Sequence, residues 1–441
     1  MPSLSYMWID YKQICDWVVW GVIGAGLAFP LLLLNIKLAP RLGTIDWPKA
    51  RGVTDEQIPI IGSSLVLFSF GIFAALSFFY SLSPWFIITA SIIGIMGFVD
   101  DRKPLSAVDK IFFQMACAIA VIFLEPSIYN AIVVKYGAAG AFWGIIFILG
   151  LVNAINFIDG IDGLAAVVIT IGSLGYLFLC GKNYQQPGLR IYAALLTGMM
   201  LPFFYLNVRN RRGFLGNVGS YFFAYVLAMM HLSLPIDSIG PVPRLSISGL
   251  CFLIPIADAA TVVSLRLLTY RSPFQADKGH LHHRLIQTSI PLKYILLTFG
   301  AIELSAVGVA YLLVEPGVSH SALPTLICLS HLIITSVLIL LVERASRRRV
   351  QAYFQRLDTG MRIYFLKYEI RKQDGSPISL RTLRRLDAKV GAEIRITDLC
   401  VAEKPCYLYV TLRSPVEPVR GISSRLDTIF QNEKVQVKLD V

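Results

Sequence analysis

Apolar runs near the length of a bilayer span recur along this chain, and they constrain its fold more than any other feature. They lie at about 16–36, 58–80, 84–99, 111–125, 138–154, 164–180, 190–206, 214–234, 246–268, 292–314 and 320–342. A membrane helix needs roughly 20 predominantly apolar residues, so the expected architecture is an all-α polytopic membrane protein with about eleven spans. A hydrophobic content of 55% and a mean hydropathy of +0.64 exclude a soluble enzyme of 441 residues. The first run follows a weakly charged lead containing Asp10, Lys12 and Asp16 and has no small-residue cleavage site. It reads as an uncleaved anchor rather than a signal peptide.

Lys and Arg fall unequally between the runs. One alternating set of connections holds Lys37, Arg41, Lys49 and Arg51, then Arg102, Lys103 and Lys110, then Arg209, Arg211 and Arg212, then Arg271, Lys278, Arg284 and Lys293, and finally Arg344 and Arg347 to Arg349. The other set offers Lys135, Lys182, Arg190 and Arg244. Positive residues mark the cytosolic side, so the N-terminus is expected outside and the C-terminus in the cytosol, across a plasma (inner) membrane. The net charge of +12 is then a topology signal and an attraction to anionic headgroups or substrates, and nucleic acid is not needed to explain it. Seven cysteines, without a C-x-x-C pair and mostly in apolar runs, read as small core residues.

Spanning runs stop near Leu341, and ERASRRR (343–349) marks the exit. Residues 1–349 form the expected membrane domain and 350–441 a separate cytosolic module. In that module MRIYFLKYEI (361–370), EIRITDL (393–399), CYLYVTL (406–412) and KVQVKLDV (434–441) alternate like strands. SLRTLRRLDAKV (379–390) and SSRLDTIF (423–430) repeat like helices. Strand, helix, strand, strand, helix, strand suits a ferredoxin-like α+β unit, which by itself names no function. Regulation, homodimer formation and docking of a partner protein are the roles open to it.

Four polar clusters sit at span ends, all on the expected cytosolic side: GFVDDRKPLSAVDKIFFQ (97–114), NAINFIDGIDGLAA (153–166), RNRRGFLGNVGS (209–220) and SPFQADKGHLHHRL (272–285). A buried unpaired anion costs several kcal/mol, so such a concentration needs water, a cation or a ligand. In the second cluster Asn156, Asp159 and Gly163 stand at helical spacing, and two Asp-Gly pairs permit a tight turn. Oxygen-rich ligands with little sulfur or imidazole favour Mg²⁺, with Mn²⁺ as its substitute; the same residues also suit caps and turns at a membrane boundary. His280, His282 and His283 do not follow a zinc spacing. With Lys278 and Arg284 they suit donors to phosphate or sugar oxygens, or a plain interfacial loop. The glycines around Asn217 can present backbone N–H groups to a phosphate. Asp258, within the ninth run, is either functional or an interhelical hydrogen-bonding group.

Taken together, GFVDDRKPLS, NAINFIDGIDGLAA, GFLGNVGS and PIADAATVVSLRLLTYRSPFQADKGHLHHRL resemble the polyprenyl-phosphate N-acetylhexosamine-1-phosphate transferases of glycosyltransferase family 4. The histidine segment looks like the GlcNAc-1-phosphate branch. The resemblance covers about residues 15–343 and implies transfer of a sugar-1-phosphate from a UDP-sugar to polyprenyl phosphate, with release of UMP. It implies that Asp159 is a Mg²⁺ ligand, that Asp162 and Asn156 order the site, and that Asp100 and Asp101 bind or deprotonate the lipid phosphate or help hold the metal. Lys110 would neutralise phosphate, and the protein docked by the C-terminal module would be a later glycosyltransferase. Asn153, Asn217, Asp277, Lys278, His280, His282 and His283 would contact substrate.

Three positions depart from the family pattern. Asn217 stands where an Asp is usual, Pro104 replaces an acid, and EQIPIIGSS (56–64) replaces a basic, proline and double-glycine loop. The alternatives they raise are a catalytically impaired member of the same fold that binds lipid phosphate or acts as a scaffold, and a transferase for a different UDP-sugar.

Overall fold

The computed structural model describes residues 11–46, 58–80, 83–180, 187–210, 213–234, 236, 238, 240–268, 291–314, 316–356, 362–372, 394–400, 406–414 and 435–440. In order they form α1 (Tyr11–Leu42), β1 (Ile45–Asp46), β2 (Ile58–Pro59), α2 (Gly62–Tyr80), α3 (Pro84–Arg102), α4 (Ala107–Leu124), α5 (Pro126–Ile128) and a π-helical turn (Tyr129–Val134). There follow α6 (Lys135–Ile158), α7 (Leu164–Cys180), α8 (Pro187–Asn210), α9 (Gly216–Ser233), α10 (Pro241–Leu250) and α11 (Leu253–Leu268). The last are α12 (Leu292–Leu313), α13 (Pro316–Ser319), α14 (Leu323–Arg356) and strands β3 (Arg362–Lys372), β4 (Ile394–Cys400), β5 (Cys406–Ser414) and β6 (Val435–Asp440). The chain divides into two compact units, one of residues 1–46 and 58–347, the other of residues 47–57 and 348–441.

Helix is the answer hydrocarbon demands, because a lipid-facing backbone must satisfy its own polar groups. Every apolar run is helical, yet among the described residues eight helices are long and apolar enough to cross a membrane, or nine if one bent pair counts as a single span. The difference from eleven has two sources. Helix α7 has 17 residues, and α9 does not reach the same measure of length and apolarity. On α9 every residue from Val218 to Ser233 is buried. It is enclosed by α2, α3, α6 and α7, the situation of a helix that packs on all sides. The outer helices instead expose Leu67, Phe78, Phe112, Leu326 and Ile333, an apolar surface that belongs against lipid.

Both ends of α9 are closed by charge. At its start the Asp101 carboxylate accepts the backbone N–H groups of Asn217 (2.8 Å) and Val218 (3.0 Å). At its end Arg244, only 1% exposed, donates to the carbonyls of Leu232, Leu234 and Ile236 at 2.6–2.8 Å. An anion at the N-terminus and a cation at the C-terminus both oppose the helix dipole. They also satisfy terminal groups that water cannot reach. Arg244, which the sequence places among loop cations, is therefore a buried structural residue.

The ninth apolar run is broken rather than straight. Helices α10 and α11 meet at 110°. Pro255 falls in the first turn of α11, where a missing N–H does no harm. The preceding N–H, of Ile254, is donated to Glu303 Oε2 on α12 at 2.8 Å, and Glu303 is fully buried.

The second unit contains a four-stranded antiparallel sheet in the order β4-β5-β3-β6, with Tyr368 opposite Leu408 and Glu369 opposite Lys438. All four expected strands are present. The expected helices at 379–390 and 423–430 lie outside the described residues.

Candidate active site

Helix α3 ends at the double aspartate, and the turn after it feeds α4. Ser106 caps α4 by accepting the Asp109 N–H at 3.1 Å, which sets Lys110 one turn into the helix. From there its Nζ reaches Asp100 Oδ2 at 2.8 Å. Asp100 is buried, and its carboxylate also accepts from Leu105 N (2.8 Å), Asn217 Nδ2 (2.9 Å) and Tyr221 OH (3.3 Å). A buried carboxylate is tolerable only with such pairing. Pro104 lies exposed in the intervening turn.

The glycine-flanked loop approaches from the other side. Gly216 takes φ 72°, and a Cβ there would meet Ile60 Cγ2 at 2.5 Å and Asp101 Oδ2 at 2.8 Å. Only glycine allows both the left-handed backbone and the approach. The amides of Asn217 and Val218, expected to face a phosphate, are taken by Asp101. The EQIPIIGSS stretch supports this loop through its backbone: Phe214 N donates to Pro59 O and Ile61 N to Phe214 O, both at 2.9 Å.

At the end of α6, Asn156 Nδ2 donates to Asn217 Oδ1 and Ser220 Oγ, each at 2.9 Å. Asn153 Nδ2 donates to Gln114 Oε1 on α4 at 2.7 Å and to Leu149 O, so this residue ties α6 to α4. Asp159 then stops α6 and opens the turn to α7. Gly163 closes that turn at φ 83° and donates its N–H to Asn207 Oδ1 of α8. Asn207 Nδ2 donates to Gly213 O at 2.9 Å, joining the aspartate turn to the loop before α9.

Burial pushes the Asp159 carboxyl well above the ordinary aspartate range, and the charges of Asp101 and then Asp162 push it further. Three acids thus converge beside the already paired Asp100, a repulsion that a divalent cation relieves. Among the described residues no three His, Cys, Asp or Glu side chains are arranged to hold a metal alone.

The structure therefore brings together Asp100, Asp101, Lys110, Asn156, Asp159 and Asn217, with Asp162 in electrostatic reach of Asp159. Asp277, Lys278, His280, His282 and His283 lie outside the described residues. Asp258 and Arg266 are buried along α11. Sequence reasoning quoted Gln114 and Ser220 within its polar clusters without giving them a role, and missed Asn207 and Tyr221. Gln114, an amide inside the apolar run 111–125, and Asn207, an amide at the end of the run 190–206, are the signals that could have found them.

The sequence model described as glycosyl transferase family 4 matches residues 83–234, the segment from α3 to the end of α9. The chain is 25% identical over 306 residues to an undecaprenyl-phosphate alpha-N-acetylglucosaminyl 1-phosphate transferase of Salmonella typhi, covering 63% of this chain and 79% of the relative. It is 28% identical over 265 residues to a probable undecaprenyl-phosphate N-acetylglucosaminyl 1-phosphate transferase of Bacillus subtilis (57% and 72%). The Escherichia coli K12 enzyme of the former name is 24% identical over 292 residues (62% and 78%).

Proposed function

We propose that this chain is a member of glycosyl transferase family 4 and that it transfers GlcNAc-1-phosphate from UDP-GlcNAc to undecaprenyl phosphate, releasing UMP and initiating a cell-surface glycan. The observation that carries the reading is the meeting of Asp100, Asp101 and Asp159, from two separate span ends, around Lys110 and Asn217. In the reaction an oxygen of the lipid phosphate bonds to the sugar-linked phosphorus while the bond to the bridging oxygen breaks, and UMP leaves with that oxygen. Two anions must be aligned and their repulsion offset, which is most of what catalysis requires here.

Asp159, with Asp162 beside it, would hold Mg²⁺ or Mn²⁺. The bound cation supplies charge neutralisation across the diphosphate. Asn156 fixes the end of α6 and so the position of Asp159 three residues on. Asp101 is engaged in holding α9, and Asp100 in holding Lys110 and Asn217. Lys110, whose side chain keeps 26% exposure, offers its remaining donors to the lipid phosphate. By resemblance the segment with Asp277, Lys278, His280, His282 and His283 contacts the sugar nucleotide.

The protein is a multi-pass membrane protein. The Lys and Arg bias supports eleven spans, with this site and the C-terminus in the cytosol and the N-terminus outside. The strand order β4-β5-β3-β6 supports a ferredoxin-like C-terminal module. The reading is tested with purified protein, undecaprenyl phosphate, Mg²⁺ and a panel of UDP-sugars. UMP release greatest with UDP-GlcNAc is expected, and absence of release with every donor overturns it.

A further inference from the structure

We propose that Asn217 is a positioning residue that joins α3, α6 and α9 by hydrogen bonds at a place where a carboxylate would need a cation. Its Nδ2 donates to Asp100 Oδ2 at 2.9 Å, its Oδ1 accepts from Asn156 Nδ2 at 2.9 Å, and its backbone N–H donates to Asp101 Oδ1 at 2.8 Å. A carboxamide has one donor group and one acceptor group, and this site uses each in a fixed direction. Turning the amide over would set its oxygen against the Asp100 carboxylate and its NH₂ against the NH₂ of Asn156. The chemistry of the neighbours therefore fixes the orientation.

An aspartate is nearly the same shape but has no hydrogen to donate. At this position it would place a second carboxylate at hydrogen-bond distance from buried Asp100, which already shares the Lys110 ammonium at 2.8 Å. Two such anions require a proton or a further cation between them. With Asn217 the junction balances one buried carboxylate against one lysine, and the demand for a divalent cation is confined to the Asp159 and Asp162 side. The departure from the family pattern is then a substitution of hydrogen bonding for charge, and the loop keeps its geometry without metal. The catalytic consequence rests on the transferase reading: Asn156, held by Asn217, sets the end of α6 from which Asp159 projects.

The test uses the full-length protein in detergent with Asn217→Asp and Asn217→Ala, melted in EDTA and in Mg²⁺ or Ca²⁺, beside turnover measurements. Asn217→Asp should melt several degrees below wild type in EDTA and recover most of the loss in either cation. Asn217→Ala should lose stability that neither cation restores. In turnover, Asn217→Ala should lower kcat about tenfold with KM for the UDP-sugar little changed, as expected when alignment rather than binding is lost. An Asn217→Asp chain extractable only with divalent cation is the extreme form of the expected result. Equal melting of Asn217→Asp and wild type in EDTA, a deficit indifferent to cation, or failure to fold in every buffer overturns the proposal. The melting arm needs no substrate, so a wild-type chain without turnover defeats the transferase reading while leaving the role of Asn217 separately decided.

Discussion

Asp101 and Arg244 stand at opposite ends of α9, the carboxylate on the amides of Asn217 and Val218 and the guanidinium on the carbonyls of Leu232 and, just past the helix, Leu234 and Ile236, so that the buried central helix is closed by opposite charges at its two termini. Arg244 lies away from the acidic cluster, so its role is read through stability. Arg244→Met should destabilise the membrane domain by about 3 kcal/mol, because three carbonyls lose their donor in a water-free interior. Thermal unfolding in detergent measures this. Arg244→Lys should recover little, since one ammonium cannot reproduce the planar fork. Equal melting of Arg244→Met and wild type would show that the carbonyls find other donors.

Lys110 and Asp100 form a pair whose acid is buried and whose base is partly exposed. Removing the lysine alone strands the carboxylate, so Lys110→Met should cost roughly 2–3 kcal/mol, below the range for fully buried pairs. Adding Asp100→Asn should restore part of that loss. A double-mutant cycle on unfolding free energies gives the coupling, and additive effects would argue against the pair.

How much of this was legible depends on the range of the interaction. Spanning helices follow from runs of apolar residues, because the bilayer leaves the backbone one local solution. The break between α10 and α11 was legible only in part. Pro255 is a helix-start signal, but the cap comes from Glu303, 49 residues away. Within the site, Asp100, Asp101, Asn156 and Asp159 were visible as polar residues at span ends. The bond from Asn217 to Asp100 crosses 117 residues, and no local pattern encodes it. Without that bond, Asn217 reads simply as a lost charge. The donor Tyr221 and the acceptor Gln114 escaped notice because a tyrosine or glutamine in an apolar helix looks like packing until its partner is placed.

Glu303 provides a test of the broken span. Its Oε2 accepts the Ile254 N–H, and a glutamine oxygen can do the same, so Glu303→Gln should fold and melt close to wild type. Glu303→Leu leaves that N–H orphaned and should cost about 1–3 kcal/mol. Unfolding measurements on the two variants separate the cases; a leucine variant as stable as the glutamine one would remove the carboxylate from the account of the bend.

The C-terminal unit begins near residue 348. A chain ending at residue 349 should insert, fold and release UMP within about threefold of the full-length rate, as separate domains generally allow. Size-exclusion behaviour in detergent establishes folding and the UMP assay establishes turnover. Complete loss of activity in a folded truncation would assign the module a part in catalysis.

Asp159 should show opposite effects on stability and activity. Burial, then Asp101, then Asp162 raise its pKa well above the ordinary aspartate range, so the folded protein favours its protonated form. That contribution is fully present below the unfolded-chain pKa and is lost as pH rises through the raised folded value. At neutral pH without metal, the ionised side chain therefore weighs against the fold. Asp159→Asn should accordingly melt a few degrees above wild type in EDTA at pH 7.5, and its melting should vary less with pH. The same variant should lose UMP release to about 1% or less of wild type and gain nothing in stability from Mg²⁺, because its cation ligand is gone. For wild type, the release rate should fall on acidification from a pH above the usual carboxylate range, as protons compete with the cation. An Asp159→Asn protein that melts lower than wild type in EDTA, or retains substantial turnover, would move the cation and the reaction centre away from this residue.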